Sequence, residues 1–235
     1  MKIVIAGASG GIGSAFVKAL AARPGIDHIV ATCNRHTSVT DHPRVTWQQL
    51  DLTDEAAITQ WAAQLDEIDW LINAAGVLHT PAQGPEKTIR QVDPGFFLEN
   101  MRINALPALL LAKHLHDKFR HARPALFATV SAKVGSIEDN RLGGWFSYRA
   151  SKAALNMCLK TLSIEWRRTL PNVAVVALHP GTTDTALSKP FQRNLPEGQL
   201  LAPEFSVDCM LNVLDNLGPA QSGRFLAFDG EQLPW

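Results

Sequence analysis

Tyr148 and Lys152 stand four positions apart, and Tyr148 is the only tyrosine of the chain. On a helix that spacing puts both side chains on one face, with Cβ atoms roughly 5–6 Å apart. A free phenol titrates at about 10, too high for ready proton exchange at neutral pH. A neighbouring ammonium stabilises the tyrosinate and lowers that value, so the pair becomes a workable proton donor and acceptor. Such a donor suits a reaction that develops an alkoxide, of which hydride transfer to a carbonyl is the clearest case. The bland alternative is a helix surface that carries a tyrosine and a lysine by chance. What stands upstream decides against it.

The run Gly7-Ala8-Ser9-Gly10-Gly11-Ile12-Gly13 follows a short apolar segment and leads straight into a helical period. Glycines let the chain turn tightly and let backbone N–H groups approach a pyrophosphate, while the helix N-terminus adds partial positive charge. A dinucleotide is therefore the expected ligand. A site that prefers NAD usually carries an acid at the end of the second strand, to accept from the ribose 2′-hydroxyl. Here the segment reads Thr32-Cys33-Asn34-Arg35-His36, without an acid. A carboxylate would repel a 2′-phosphate, whereas Arg35, next to Asn34, offers it two N–H donors. NADP(H) is the expected cofactor, and NAD(H) stays open as the alternative.

The elements that must position these residues alternate. Strand-length apolar runs at 3–6, 28–33, 45–49, 68–73, 125–130, 173–178 and 224–227 are separated by helical periods at 12–22, 55–65, 99–119, 148–170 and 206–217. Thr53 or Asp54 is placed to cap the second helix. This alternation predicts an α/β domain over 1–235 with a doubly wound parallel sheet and helices on both faces. The stretch 183–203, rich in proline and glycine, reads as an irregular flap beside a site or, equally, as a plain surface excursion.

At 235 residues, with 46% hydrophobic and 19% charged residues, the chain can bury a full core. Basic and acidic residues balance at 22 each, which argues against a nucleic-acid or anionic-membrane binder. Cys33, Cys158 and Cys209 are scattered and odd in number, which fits a reducing, cytoplasmic setting. The spacings of His114, His116 and His121 share no helix face, so no metal site is expected. The long helices carry Leu109, Leu110, Leu111, Leu155, Met157 and Leu162, more apolar residues than one covered face needs. A homodimer or homotetramer is expected from that surplus.

Gly7-x3-Gly11-x-Gly13, Asn73-Ala74-Ala75-Gly76 and Tyr148-x-x-x-Lys152, taken in this order, resemble the short-chain dehydrogenase/reductase family. The similarity runs over nearly the whole chain. It implies a Rossmann-type sheet of about seven strands and an oxidoreductase acting on a small carbonyl or alcohol. By the same resemblance Asp51 and Leu52 face the adenine, and Asn73, Ala74, Ala75 and Gly76 line the cofactor, with Ala74 replacing an asparagine. Pro180, Gly181, Thr182 and Thr185 would close over the cofactor, and Lys152 would hold its ribose as well as serve Tyr148. Asn104 would hold a water in a proton relay. The family also uses a serine to hold the substrate carbonyl. Its usual register falls on Ala132, so Ser131 is the first candidate and Ser136 the reserve. The segments around Gly135, Gly144–Lys152 and Asp229 are similar to the C-factor/sniffer-type carbonyl reductases. Trp145 and Phe146 are expected to wall the substrate pocket. A dinucleotide-binding signalling or regulatory protein with little turnover is the competing reading. A methyltransferase would explain neither Tyr148 and Lys152 nor Arg35.

Overall fold

The computed structural model describes residues 1–34 and 41–235. Seven strands form one parallel sheet: β1 (Lys2–Ala6), β2 (His28–Cys33), β3 (Val45–Gln49), β4 (Trp70–Asn73), β5 (Ala125–Val130), β6 (Val173–His179) and, last in the chain, Arg224–Ala227. Their spatial order has β3-β2-β1 on one side and β4-β5-β6 followed by Arg224–Ala227 on the other. The order reverses between β1 and β4, and in such sheets a ligand crevice opens at that point, beyond the carboxyl ends of the strands. A separate two-stranded pair joins β7 (Thr182–Thr183) to β8 (Leu200–Leu201), and Arg224–Ala227 is therefore β9.

The strands at the centre are buried on both faces, which is why they read as unbroken apolar runs rather than as alternation. One face is covered by α2 (Glu55–Ala63), α4 (Leu106–Leu115) and α5 (Phe146–Thr169). The other is covered by α1 (Gly11–Ala21) and α6 (Pro203–Asp215). Trp166 of α5 packs against Phe119 and Phe127 at ring separations of 5.7 and 5.3 Å, which fastens the helix carrying Tyr148 to the sheet.

Two expectations change here. The single helix expected over 99–119 is two helices and a 3₁₀ turn. The first, α3 (Pro94–Asn104), starts earlier, where the Asp93 side chain caps Phe96 N. Pro107 has no N–H to donate to the carbonyl of residue 103, and its ring would clash with that carbonyl in a continuous helix, so the axis breaks at Ala105 and α4 restarts with Pro107 in its first turn. The flap at 183–203 is also less irregular than expected. It contains β8, paired with β7, and a 3₁₀ helix over Lys189–Asn194.

Candidate active site

The glycine turn is built for close approach. Gly7 lies at φ 72°, and a β-carbon on it would sit 2.7 Å from Ala75 N. A β-carbon on Gly13 would meet Gly7 O at 2.3 Å, so α1 packs against β1 only because residue 13 has no side chain. Ser9, Gly10 and Gly11 remain exposed at the helix start, with Ile12 partly covered. The turn after β7 lies over them: a β-carbon on Gly11 would be 2.5 Å from Thr185 Cγ2. Gly10, Gly11, Ile12, Ala74, Gly76 and Thr185 line one cleft of about 320 Å³, together with residues 77–79, Ala186 and Leu187. Free N–H donors at an exposed helix start, with glycines where side chains would obstruct, fit a pyrophosphate.

The remaining expected cofactor residues lie at the carboxyl ends of the strands. Asn73 ends β4 and accepts from Ala75 N at 3.2 Å, which fixes the turn that carries Ala74 and Gly76. Asp51 accepts from Thr53 N and Oγ1, and these hydrogen bonds hold its carboxyl below the usual range. Leu52 beside it is buried. Pro180 and Gly181 follow β6, with Gly181 at φ 72° against Leu201 and Phe228. Asn34 is exposed at the end of β2, whereas Arg35 lies outside the described residues.

Tyr148 and Lys152 occupy the first two turns of α5, and both are buried. Lys152 Nζ lies 5.9 Å from the Tyr148 ring centroid and donates to Val130 O at 3.1 Å. The cleft reaches Lys152 at Gly76, where a β-carbon would come within 3.4 Å of Lys152 Nζ and 3.2 Å of Asn104 Oδ1. Asn104, the last residue of α3, accepts from Val77 N at 2.8 Å and donates to Val77 O and Ser151 Oγ, each at 2.9 Å. It therefore ties the β4 loop to α5 from the point where Pro107 breaks the helix.

The electrostatics correct one expectation. Burial pushes the Tyr148 phenol above its ordinary value instead of letting the ammonium lower it. The same burial pulls Lys152 down to about 8. Removing water disfavours both charged forms, and here that effect exceeds the attraction between them.

Ser131 Oγ donates to Asn156 Oδ1 at 2.6 Å, with both residues buried. Ser136 Oγ donates to Trp235 O at 3.1 Å and accepts from Asp139 N at 3.0 Å. Both candidate hydroxyls thus have partners within the protein. Ala132, partly covered, has extended backbone at φ −152°. Successive side chains of extended chain point to opposite faces, so Ala132 and Ser131 do not share one. Trp145 packs edge-on to Tyr148 at 6.3 Å and against Phe191 at 5.1 Å, and Phe191 in turn meets His79 at 5.9 Å. Sequence reasoning expected Trp145 and Phe146 at this wall, and of the two Phe146 is exposed. That reasoning missed Phe191, which sits in a 3₁₀ helix too short to leave a spacing signal.

A wider groove of about 960 Å³ opens at the opposite ends of the strands. Its charges are paired, Lys2 with Asp66 at 2.8 Å and Arg123 with Asp69 at 2.8 Å. Among the described residues no group of three His, Cys, Asp or Glu is placed to hold a metal ion, and no helix is long and apolar enough to cross a membrane.

Residues 1–196 match the model of the short chain dehydrogenase family, and the chain belongs to that family of oxidoreductases. It is 35% identical to the C-signal of Myxococcus xanthus over 168 residues, covering 72% of this chain and 93% of that protein. The fold is similar to the NADPH-bound carbonyl reductase from chicken fatty liver, with a TM-score of 0.87 and 29% identity over all of this chain and 94% of the other. It is also similar to the carbonyl reductase Sniffer of D. melanogaster, with a TM-score of 0.84 and 25% identity over 100% and 99% of the two chains. Family membership and the NADPH-bound neighbour support a nicotinamide dinucleotide as the cofactor.

Proposed function

We propose that the protein is an NADP(H)-dependent carbonyl reductase that acts on a small carbonyl or alcohol. The observation that carries this reading is the burial of Tyr148 beside Lys152, with Lys152 Nζ reaching Gly76 of the glycine-lined cleft. The glycine turn, Asn73–Gly76 and Thr185 would hold the dinucleotide, which supplies or accepts the hydride. The preference for the phosphorylated form rests on Arg35 and on the lack of an acid after β2.

The chain's own residues divide the remaining work. Tyr148, protonated at neutral pH as any phenol is and held so by burial, donates its proton to the alkoxide oxygen. Lys152 would hold the ribose, and its ammonium offsets the negative charge left on the phenolate as the proton leaves. Asn104 keeps the β4 loop against α5, and in the proposed relay a water at its end of the cleft gives a proton to Lys152 as Lys152 passes its own to the Tyr148 phenolate. Trp145, Phe191 and His79 exclude solvent from the carbonyl.

Tyr148→Phe keeps the ring and removes the donor. Turnover should fall by roughly 10²–10⁴-fold, with NADPH affinity near that of the parent by fluorescence titration. Near-normal turnover of an identified carbonyl in that variant would end this mechanism. A second reading, a dinucleotide-binding signalling protein with little turnover, draws support from Ala132 at the serine register and from the similarity to C-signal.

A further inference from the structure

Helix α5 begins without a cap of its own. Its N-cap residue, Trp145, makes no side-chain capping bond and lies at φ 51°, ψ 45°. Trp145 is the one non-glycine residue at positive φ among the described residues, and Gly143 and Gly144 before it are left-handed too. Glycines adopt this conformation freely, whereas a tryptophan is strained in it and has to be fastened there.

Glu86, 61 residues earlier than Ser147, does so. It is 1% exposed, one of two buried acids among the described residues. Its Oε2 accepts from Ser147 N at 3.1 Å, its Oε1 accepts a short bond from Ser147 Oγ, and its main-chain oxygen accepts from Trp145 N. The other buried acid, Asp69, is paired with Arg123. Glu86 forms no ion pair among the described residues, and both hydrogen bonds to its carboxylate come from Ser147 at the helix start.

A buried acid without a cation is a costly cap, because its desolvation is repaid only by hydrogen bonds. A serine or aspartate at position 145 would satisfy the same first turn at far lower cost. What Glu86 adds is a tether between separate parts of the chain. It belongs to the segment that leaves β4 and lines the cleft at 76–79, and it fixes the residues on either side of Phe146. Tyr148 is the next residue after Ser147, and its ring packs on Trp145. A shift of the first turn would therefore move the phenol and the aromatic wall together.

We infer that Glu86 is a positioning residue for the Tyr148 proton donor, acting through Ser147 and Trp145. This rests on the proposed reading of the site. The test compares Glu86→Ala, Glu86→Gln, Ser147→Ala and Tyr148→Phe, with kcat, KM, NADPH affinity and thermal midpoint measured for each on one carbonyl substrate found by screening. Misplacement of a reacting group by about 1 Å costs up to ~10²-fold, so Glu86→Ala should lower kcat by about tenfold or more with NADPH affinity within about twofold. Glu86→Gln keeps an acceptor for Ser147 N and a donor for its oxygen, and should recover kcat to within about threefold of the parent. Parent-like kcat in Glu86→Ala overturns the proposal, as does a loss of NADPH affinity in step with kcat. If Glu86→Ala yields no folded protein, Ser147→Ala decides: it removes one bond, and a kcat equal to the parent's overturns the proposal. Turnover retained in Tyr148→Phe overturns the reading of the site itself. An inactive Tyr148→Phe beside a fully active Glu86→Ala removes only the role of Glu86.

Discussion

Because the chain has one tyrosine, its tyrosinate absorbance reports Tyr148 alone. Burial raises that phenol, so the free protein should show no tyrosinate until the pH passes about 10, the ordinary value. Tyrosinate appearing below that pH would show that the ammonium outweighs burial. Lys152, lowered to about 8 by burial, keeps its proton below that pH and loses it above. The sign follows: kcat/KM for reduction should be level below about 8 and fall as pH rises through it, in a pH–rate profile of the free enzyme. The serine question is settled by substitution. Ser131 Oγ is held by Asn156, so Ser131→Ala should cost stability by about 1 kcal/mol through the orphaned partner. Its turnover should change little, whereas a loss above about 10²-fold would put Ser131 at the carbonyl. Tyr148 and Lys152 were legible because their relation is local, one helical turn. The partners of Ser131 and Glu86 were not, since a bond across 25 or 61 residues leaves no spacing in the sequence.

At the level of elements, the glycine turn makes a prediction that separates folding from binding. A β-carbon on Gly13 would strike backbone atoms, Gly7 O at 2.3 Å and Ala8 Cα at 2.8 Å, which cannot give way as a side chain would. Gly13→Ala should lose roughly 1–3 kcal/mol of stability in denaturant titration, the usual cost of overpacking. A β-carbon on Gly10 would meet nothing nearer than Gly7 O at 3.6 Å, and Gly10 lies at φ −74°, which alanine adopts freely. Gly10→Ala should leave stability within about 1 kcal/mol of the parent while weakening NADPH, because the methyl would stand where the phosphates approach. Equal losses of stability in the two variants would contradict this packing. The alternation of elements was readable because strands buried on both faces are continuous apolar runs and helices carry a 3.6 period. The break at Ala105 was not read, although Pro107 signalled it. The apolar period continues across the break and hides the change of axis.

For the whole molecule, the question is what the surplus apolar residues of the long helices cover. Four of the six singled out are taken up by the core: Leu110, Leu111, Leu155 and Leu162 are 8%, 0%, 0% and 9% exposed. That part of the surplus reflects a deep intramolecular core and says nothing about assembly. Leu109 and Met157 remain, at 42% and 65% exposure, and Ile164, seven residues after Met157, is 53% exposed. Seven residues is two helical turns, so Met157 and Ile164 share a face of α5, and Leu109 stands on α4, which packs beside it on the same side of the sheet. A stable homodimer buries roughly 800 Å² per partner with an apolar centre, and a two-fold axis along paired helices brings one such stripe onto its copy. We therefore expect a mass of twice 25.7 kDa or a higher multiple by light scattering at micromolar concentration. The double variant Met157→Lys with Ile164→Lys should bring the mass to 25.7 kDa with the thermal midpoint little changed, since both side chains are already exposed in the single chain. A parent protein that scatters as 25.7 kDa leaves this face without a partner and ends the expectation. An oligomer that survives both lysines moves the contact to another surface.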